Sequence, residues 1–490
     1  MPTSRIDLDE PVLDVDDIQG NILTAFNTAC EQHVFLRVVD AERFPTWVAR
    51  VAETVTTMRA TWERRQRRQR WGPLVAIWFS YSGLLKLTET AREIQDVPFK
   101  EGLPSRSRLL GDPVAPDSPG ACANWRVGGP DRVPDALLVV ASEEPITDGL
   151  ATAGLADRCV EVLHEEVCAR LPHGNEHFGF REPVSQPGVR GRVGFGESAF
   201  LTPSLDPTRP AEGAPGQSLV WPGEFVFGYP TQDNLDRIRP GPRSRAGPAW
   251  ARNGSLVVVR RINQDVAAFN RFAGTVSRRL GQIPELAGTT VERVRAQLVG
   301  RWPSGVAVVH GHECDPGAAG ADVNDFGYVG KWGAAGDDAA GLVCPQAAHI
   351  RKAFPRDHET SMDTAESMET HRLLRRGIPF GAVDTDGERG LMFVAFQTSL
   401  ERQFEFVQRS WLNNPRLRTA CDGHDPLVGQ CNRGMTGPQE RYFAFRYRRA
   451  DGLVRTEQVV MREEWTTPTG GGYFFAPSLS ALRGILSGRA

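Results

Sequence analysis

A chain of 490 residues with 40% hydrophobic and 24% charged side chains is long enough for two or three domains and has the balance of a soluble globular protein. Its formal net charge of −3 gives no general attraction to nucleic acid or to an anionic membrane. No run approaches the roughly 18 consecutive apolar residues of a membrane span, and 50 glycines with 35 prolines favour a loop-rich α+β protein over a helical bundle.

Residues 1–16 read as a disordered, acidic lead-in, polar throughout and without twin arginines, which fits a cytoplasmic protein. A strand is predicted over 33–39, then one helix over 41–70 that ends in arginines. The basic cluster Arg59, Arg64, Arg65, Arg67, Arg68 and Arg70 reads as a solvated helix end rather than a docking patch. Strands are expected at 74–80 and 136–141, with helices at 82–93 and 150–171. Residues 202–218, rich in Pro, Gly and Ser, make the best linker. A strand at 255–261, helices at 265–280 and 291–298, a strand at 390–397 and a helix at 399–412 follow. The glycine- and aspartate-rich stretch 313–340 reads as a long ordered loop near a cofactor.

The 8 cysteines show neither Cys-x-x-Cys spacing nor a zinc pattern, so free thiols are expected, with a Cys421–Cys431 bridge as the alternative. The histidines, among them His310, His312 and His371, form no clear ligand spacing, and a second metal site is not expected.

The segment Cys344-Pro345-Gln346-Ala347-Ala348-His349-Ile350-Arg351-Lys352 sets one histidine beside basic side chains, and Leu374-Arg375-Arg376-Gly377-Ile378-Pro379 sets an arginine ahead of a Gly/Pro turn. A neutral imidazole is a good metal ligand and a guanidinium a permanent cation. Alone, such a histidine is more often structural. The wording of the segments changes that: the first resembles the proximal haem segment of the dye-decolorizing peroxidases, and the second resembles the segment that carries their distal arginine. Glu176-His177-Phe178-Gly179-Phe180-Arg181 through Pro187 is similar to the family's distal loop. Further matching runs are 222–230, 300–305, 324–326, 403–408 and 470–475, collinear over roughly 17–485, and the Asp17–Leu23 start is similar to that of the larger bacterial and fungal subgroup.

The resemblance implies two ferredoxin-like units packed as a dimeric α+β barrel or sandwich within one chain, with residues 17–205 carrying the distal loop and 218–490 holding haem. It implies a haem peroxidase that uses hydrogen peroxide to oxidise a small organic donor through a ferryl intermediate. A haem-dependent tailoring enzyme or oxygenase, or a non-catalytic haem-binding protein, is the alternative. Haem b would be held without thioether links, since Cys-x-x-Cys-His is absent. Partners would be peroxide and the donor, with no nucleic acid and no membrane, and a homo-oligomer remains open.

By the same resemblance His349 is the expected iron ligand, Arg375 the distal cation and Glu182 the acid–base group. Glu405 is the expected partner of the histidine's second ring nitrogen, with a plain salt-bridged glutamate as the rival reading and Asp325 as a weaker candidate. Arg351 is expected to meet a haem propionate. Leu391 and Phe393, two apart on a strand, share one face and are expected to wall the distal pocket. Arg376 is expected to point away into a surface ion pair, His177 to be structural, and Trp302 to serve the core. One departure stands out: the family's Gly-x-x-Asp-Gly is here Gly179-Phe180-Arg181-Glu182-Pro183. The carboxylate is one methylene longer, and the proline restricts the backbone that aims it.

Overall fold

Runs of Val, Leu, Ile and Phe alternate along this chain, and each satisfies its backbone by pairing antiparallel with another. The computed structural model describes residues 8–67, 72–194, 199–317, 324–330, 338–383, 387–419, 422–431 and 440–489; Arg68, Arg70 and Cys421 lie outside the described residues. The strands that matter are β1 (Cys30–Val38), β2 (Leu74–Phe79), β3 (Ala136–Ser142), β4 (Val160–Ala169) and β5 (Ser255–Gln264), then β6 (Leu374–Arg375), β7 (Ile378–Phe380), β8 (Gly390–Gln397) and β9 (Thr466–Ala476). They form one 9-stranded sheet in the order β6-β8-β7-β4-β1-β3-β2-β9-β5. Because β5 also pairs with β8, from Gly390↔Asn263 to Gln397↔Leu256, the sheet closes into a barrel and leaves no long edge open. The strands before the 202–218 stretch, β4-β1-β3-β2, form one contiguous block of the barrel, and those after it form the other.

The period of two along each strand separates two cores. Phe35 meets Phe474 at 6.4 Å and Trp78 meets Phe396 edge-on at 5.4 Å, contacts between strands that are not neighbours, so these side chains fill the barrel. Val34, Leu36, Ile77 and Phe79 point the other way and pack on helix α1 (Phe44–Thr54), which buries Phe44, Trp47, Val48 and Val51 against them. Helix α2 is Met58–Arg67. Beyond β5, Asp265 caps α3 (Val266–Leu280) by accepting from the Ala268 N–H at 2.8 Å, and Thr290 caps α4 (Val291–Val299) through the Arg293 N–H at 3.1 Å. Gly300, at φ 92°, ends α4 in the left-handed region. Short helix α5 (His349–Ala353) and the wide-turned helical segments Leu400–Glu405 and Val407–Leu412 complete the side of the barrel that concerns function.

Four expectations fail, each for a physical reason. The helix expected over 82–93 divides into Tyr81–Leu85 and a tight turn at Glu89–Glu93, because Thr88 between them is extended at φ −156° and ψ 134°. The predicted helix over 150–171 is a four-residue helix, Gly149–Thr152, followed by β4, because ten residues there find a ladder on β1 from Val38↔Val160 to Cys30↔Ala169. That pairing outweighs the local preference of Glu161, Leu163, Glu165 and Glu166. The predicted helix over 41–70 breaks at Val55, which is extended at φ −61° and ψ 128°. Residues 8–16 are no loose lead-in: Leu13 and Val15 are buried, and Glu10, 2% exposed, receives Arg190 Nη1 at 3.0 Å and the Gly191 N–H at 2.7 Å. The basic cluster is partly pinned as well, with Arg59 on Asp16 and Arg64 on Glu143.

Breaking a buried pair leaves an uncompensated charge, so Glu10→Ala should cost about 3–5 kcal/mol. A urea denaturation midpoint measures it; an unchanged midpoint would mean that this segment does not help hold the barrel.

Candidate active site

Strand β8 turns Met392 and Val394 into the barrel core and leaves Leu391 and Phe393 on its outer face. There, with Ile262 of the adjoining β5, they wall a cavity of about 270 Å³ between the barrel and the segments that follow α4. Both residues therefore stand in the cavity wall, and so do His349, Glu182 and Arg375.

His349 opens helix α5, and its Nδ1–H donates to Asp425 Oδ2 at 2.8 Å. The other oxygen of Asp425 accepts the N–H groups of Leu427 at 2.9 Å and Val428 at 2.7 Å, which fix the carboxylate's orientation. With Nδ1 committed as a donor, the lone pair stands on Nε2, and no hydrogen bond to a described residue engages it. Burial alone would depress the histidine's pKa, but the charge and hydrogen bond of Asp425 outweigh it and raise the value above the ordinary one. Burial pushes the Asp425 carboxyl up; the His349 contact and the two backbone donors prevail and hold it below its usual range.

Arg375 lies on β6, which pairs with β8 at Ala395. Its Nη1 donates to Glu182 Oε1 at 3.3 Å and its Nη2 to the Ser185 carbonyl at 2.6 Å. Gln186 grips the Arg375 backbone from both sides, at 2.9 and 3.2 Å. The Glu182 carboxylate thus faces the cavity beside the guanidinium, with the Pro183 ring following it. Arg376, next on the chain, projects to the opposite side and donates to the carbonyls of Asn21 at 3.1 Å and Ile22 at 2.8 Å. It is half-buried among backbone carbonyls rather than in the surface ion pair expected for it.

Arg301, Arg356 and Arg372 are among the further guanidiniums that line the cavity. Arg301, aimed there by the left-handed Gly300, donates to the Gly305 carbonyl at 2.8 Å and to Asn324 Oδ1 at 2.6 Å. Arg356, itself left-handed at φ 59°, donates to the carbonyls of Asn324 and Phe326, both at 3.1 Å, and stacks on the Phe326 ring at 3.8 Å. Arg372 lies over Phe354 at 3.8 Å with Glu369 at 3.2 Å. Burial lowers the pKa of both Arg356 and Arg372 to about 10, so both remain cationic at neutral pH. Neither Arg301 nor Arg356 has a carboxylate hydrogen-bond partner among the described residues.

Residues 17–147 match the family profile described as "DyP dimeric alpha+beta barrel domain", and residues 326–420 match "Dyp-type peroxidase, C-terminal". The dye-decolorizing peroxidase of Mycena epipterygia is 30% identical over 99% of this chain and 89% of its own length. The chain belongs to the dye-decolorizing peroxidase family. A multifunctional dye peroxidase from Amycolatopsis is 27% identical over 96% of both chains. An ancestral D-type dye-decolorizing peroxidase superposes with a TM-score of 0.77 at 28% identity, covering 98% of this chain and 100% of that one. The fungal DyP-type peroxidase of Auricularia auricula-judae gives 0.74 at 26% identity, over 97% and 99%. The protein is accordingly a haem-dependent peroxidase that oxidises organic donors with hydrogen peroxide. No helix among the described residues is long and apolar enough to cross a membrane.

The cavity of this dye-decolorizing peroxidase fits its cofactor on chemical grounds. Haem is a flat apolar ring with two carboxylates and an iron that takes a nitrogen ligand. The walls supply apolar faces in Leu391, Phe393, Val407 and Leu412, a histidine nitrogen with no hydrogen bond to a described residue, and two cations, Arg301 and Arg356, with no carboxylate hydrogen-bond partner among the described residues.

Several expected roles move to other residues. Glu405 does not reach His349: it receives Arg106 through Nε at 3.0 Å and Nη2 at 2.6 Å, and the Tyr473 hydroxyl at 2.8 Å. Asp325 pairs with Arg209 at 3.0 Å. Arg351 is fully buried away from the cavity, bound to the Cys344 carbonyl at 2.6 Å, Asp338 at 3.2 Å and His358 at 2.8 Å, with Tyr328 stacked at 4.1 Å. It secures the base of the proximal loop instead of meeting a propionate. His177 bonds the Phe380 carbonyl at 2.8 Å, and Trp302 is buried with its N–H on the Gly311 carbonyl at 2.6 Å. Asp425 was missed because its helix-free loop carries only a turn signal, Asp425-Pro426, that says nothing about what the carboxylate touches.

In cofactor-free protein, NMR titration should find His349 protonating above the ordinary histidine range. In Asp425→Asn the value should fall below that range, since burial then acts without an opposing charge. A pKa unmoved by the substitution would contradict the pairing.

Proposed function

We propose that this cavity holds haem b non-covalently, with His349 Nε2 as the ligand to iron and with Arg356, Arg372 and Arg301 meeting the propionates. The observation that carries this reading is the His349–Asp425 hydrogen bond, which turns Nε2 into the donor atom on a cavity wall. When bound, haem supplies the redox-active iron at which peroxide is reduced. A carboxylate behind a ligating histidine fixes its tautomer and strengthens its electron donation, which favours cleavage of the peroxide bond.

On the distal side the chain supplies charge and a proton carrier. The Arg375 guanidinium stabilises the negative charge that gathers on the departing oxygen. Glu182 Oε1 is occupied by Arg375, whereas Oε2 has no hydrogen bond to a described residue. Glu182 accepts a proton from peroxide there and returns it to the oxygen that leaves as water. Leu391 and Phe393 keep the space between these groups apolar, so charge is screened less than in water. The electrons come from a small organic donor. A reducing, cytoplasmic setting suits the free thiols of Cys30, Cys122, Cys159, Cys168, Cys314 and Cys344.

His349→Ala should abolish most haem retention, read as loss of the Soret band from protein purified with added haem; wild-type retention would remove the ligand assignment. Glu182→Gln keeps the shape but cannot shuttle a proton, so stopped-flow mixing with peroxide should show a Soret change slower by about 10²–10⁴-fold. Arg375→Leu should slow it by on the order of 10²–10³-fold and Arg376→Leu far less. A Glu182→Gln rate equal to wild type would sink the acid–base role.

A further inference from the structure

Glu182 stands at the end of a loop whose fastening converges on one side chain, Glu176. Glu176 Oε1 accepts the Phe180 N–H at 3.0 Å, and Oε2 accepts both the Phe178 N–H at 2.9 Å and Gln264 Nε2 at 2.5 Å. The backbone closes on the same residue: the Glu176 N–H donates to the Phe180 carbonyl at 2.9 Å, and the Gly179 N–H to the Glu176 carbonyl at 2.8 Å. Gly179, at φ 91°, makes the turn between them. Gln264 is the last residue of β5, so the carboxylate ties a loop without regular structure to the rigid barrel. The Glu182 N–H then donates to the Gly174 carbonyl at 2.9 Å, which sets where its side chain leaves the loop.

All three groups that Glu176 receives are donors. Only a side chain with two acceptor oxygens satisfies them, and an amide would turn one oxygen into an NH2 facing another donor. Glu176 is 8% exposed and pairs with no guanidinium among the described residues, although Arg295 donates nearby to the Phe178 carbonyl at 2.5 Å. A stability role alone would be served by the apolar packing of Phe178 on Phe269, whose rings lie 4.5 Å apart. A buried carboxylate is costly unless hydrogen-bonded, and these three donors offset that cost only while the loop keeps this path.

We infer that Glu176 is a positioning residue that holds Glu182 at working distance from Arg375 by clamping the distal loop to β5. The inference rests on the reading of Glu182 as the acid–base group. A displacement of about 1 Å costs on the order of 10²-fold in rate, so Glu176→Gln should slow the peroxide-dependent Soret change of the haem-loaded enzyme by that order. Because Glu176 acts through Glu182, Glu176→Gln should add no further slowing in a Glu182→Gln background, and Glu176→Asp, which keeps two acceptors, should recover part of the rate. Independently of turnover, hydrogen exchange at the Phe178 and Phe180 amides should accelerate in Glu176→Gln. Should that variant fail to fold, Gln264→Met removes the barrel tether alone and takes the same two-background comparison. A wild-type rate in Glu176→Gln, or slowing that multiplies fully with Glu182→Gln, overturns the inference. If instead Glu182→Gln itself is not slowed, the acid–base reading fails and the inference falls with it.

Discussion

The rest of the site depends on how one buried carboxylate is satisfied. Asp425 is wholly inside the protein, and an isolated ion there would be costly enough to take up a proton. Two backbone N–H groups and the imidazole of His349 prevent that, and in doing so they decide which ring nitrogen faces the cavity. Remove the carboxylate and the tautomer, the ring orientation and the basicity of the presented nitrogen are all free to change.

The opposite wall is set by strand register. Pairing of β6 with β8 puts Arg375 opposite Ala395, on the face where Leu391 and Phe393 already lie, and sends Arg376 through to the carbonyls of Asn21 and Ile22. A slip of one residue would exchange the two arginines. The register is protected because β8 is held on its other edge by eight residue pairs with β5, from Gly390 to Gln397. The barrel is thus less a container than a ruler: its interior is filled by Phe35, Trp78, Phe396 and Phe474, and the chemistry is laid out on its outer surface.

Much of this was legible in the sequence, and the exceptions have causes. The strands at β2, β3, β5 and β8 were readable because each is a short, nearly continuous apolar run, buried along most of its length. Strand β4 was not, since its exposed positions carry Glu161 and Glu165 and a third glutamate, Glu166, is buried on Arg261, a composition that also suits a helix until β1 is placed beside it. His349, Arg375 and Glu182, which the fold brings to one cavity, were singled out by motif wording. What wording could not give was pairing across the chain. Glu405 lies far from His349 in sequence, as does Asp425, and periodicity has no term for which carboxylate arrives. The same limit exchanged Arg351 for Arg356: both follow His349 closely, but the first is drawn inward by Asp338 and the Cys344 carbonyl, whereas the second reaches the cavity from a left-handed turn.

Resonance Raman measurement of the iron–histidine stretch in the ferrous, haem-loaded protein tests the central pairing most directly. The account predicts a high frequency, typical of an imidazole with a carboxylate behind it, that falls in Asp425→Asn and is unchanged in Glu405→Gln. A frequency insensitive to Asp425→Asn, or one that moves only with Glu405→Gln, would contradict it.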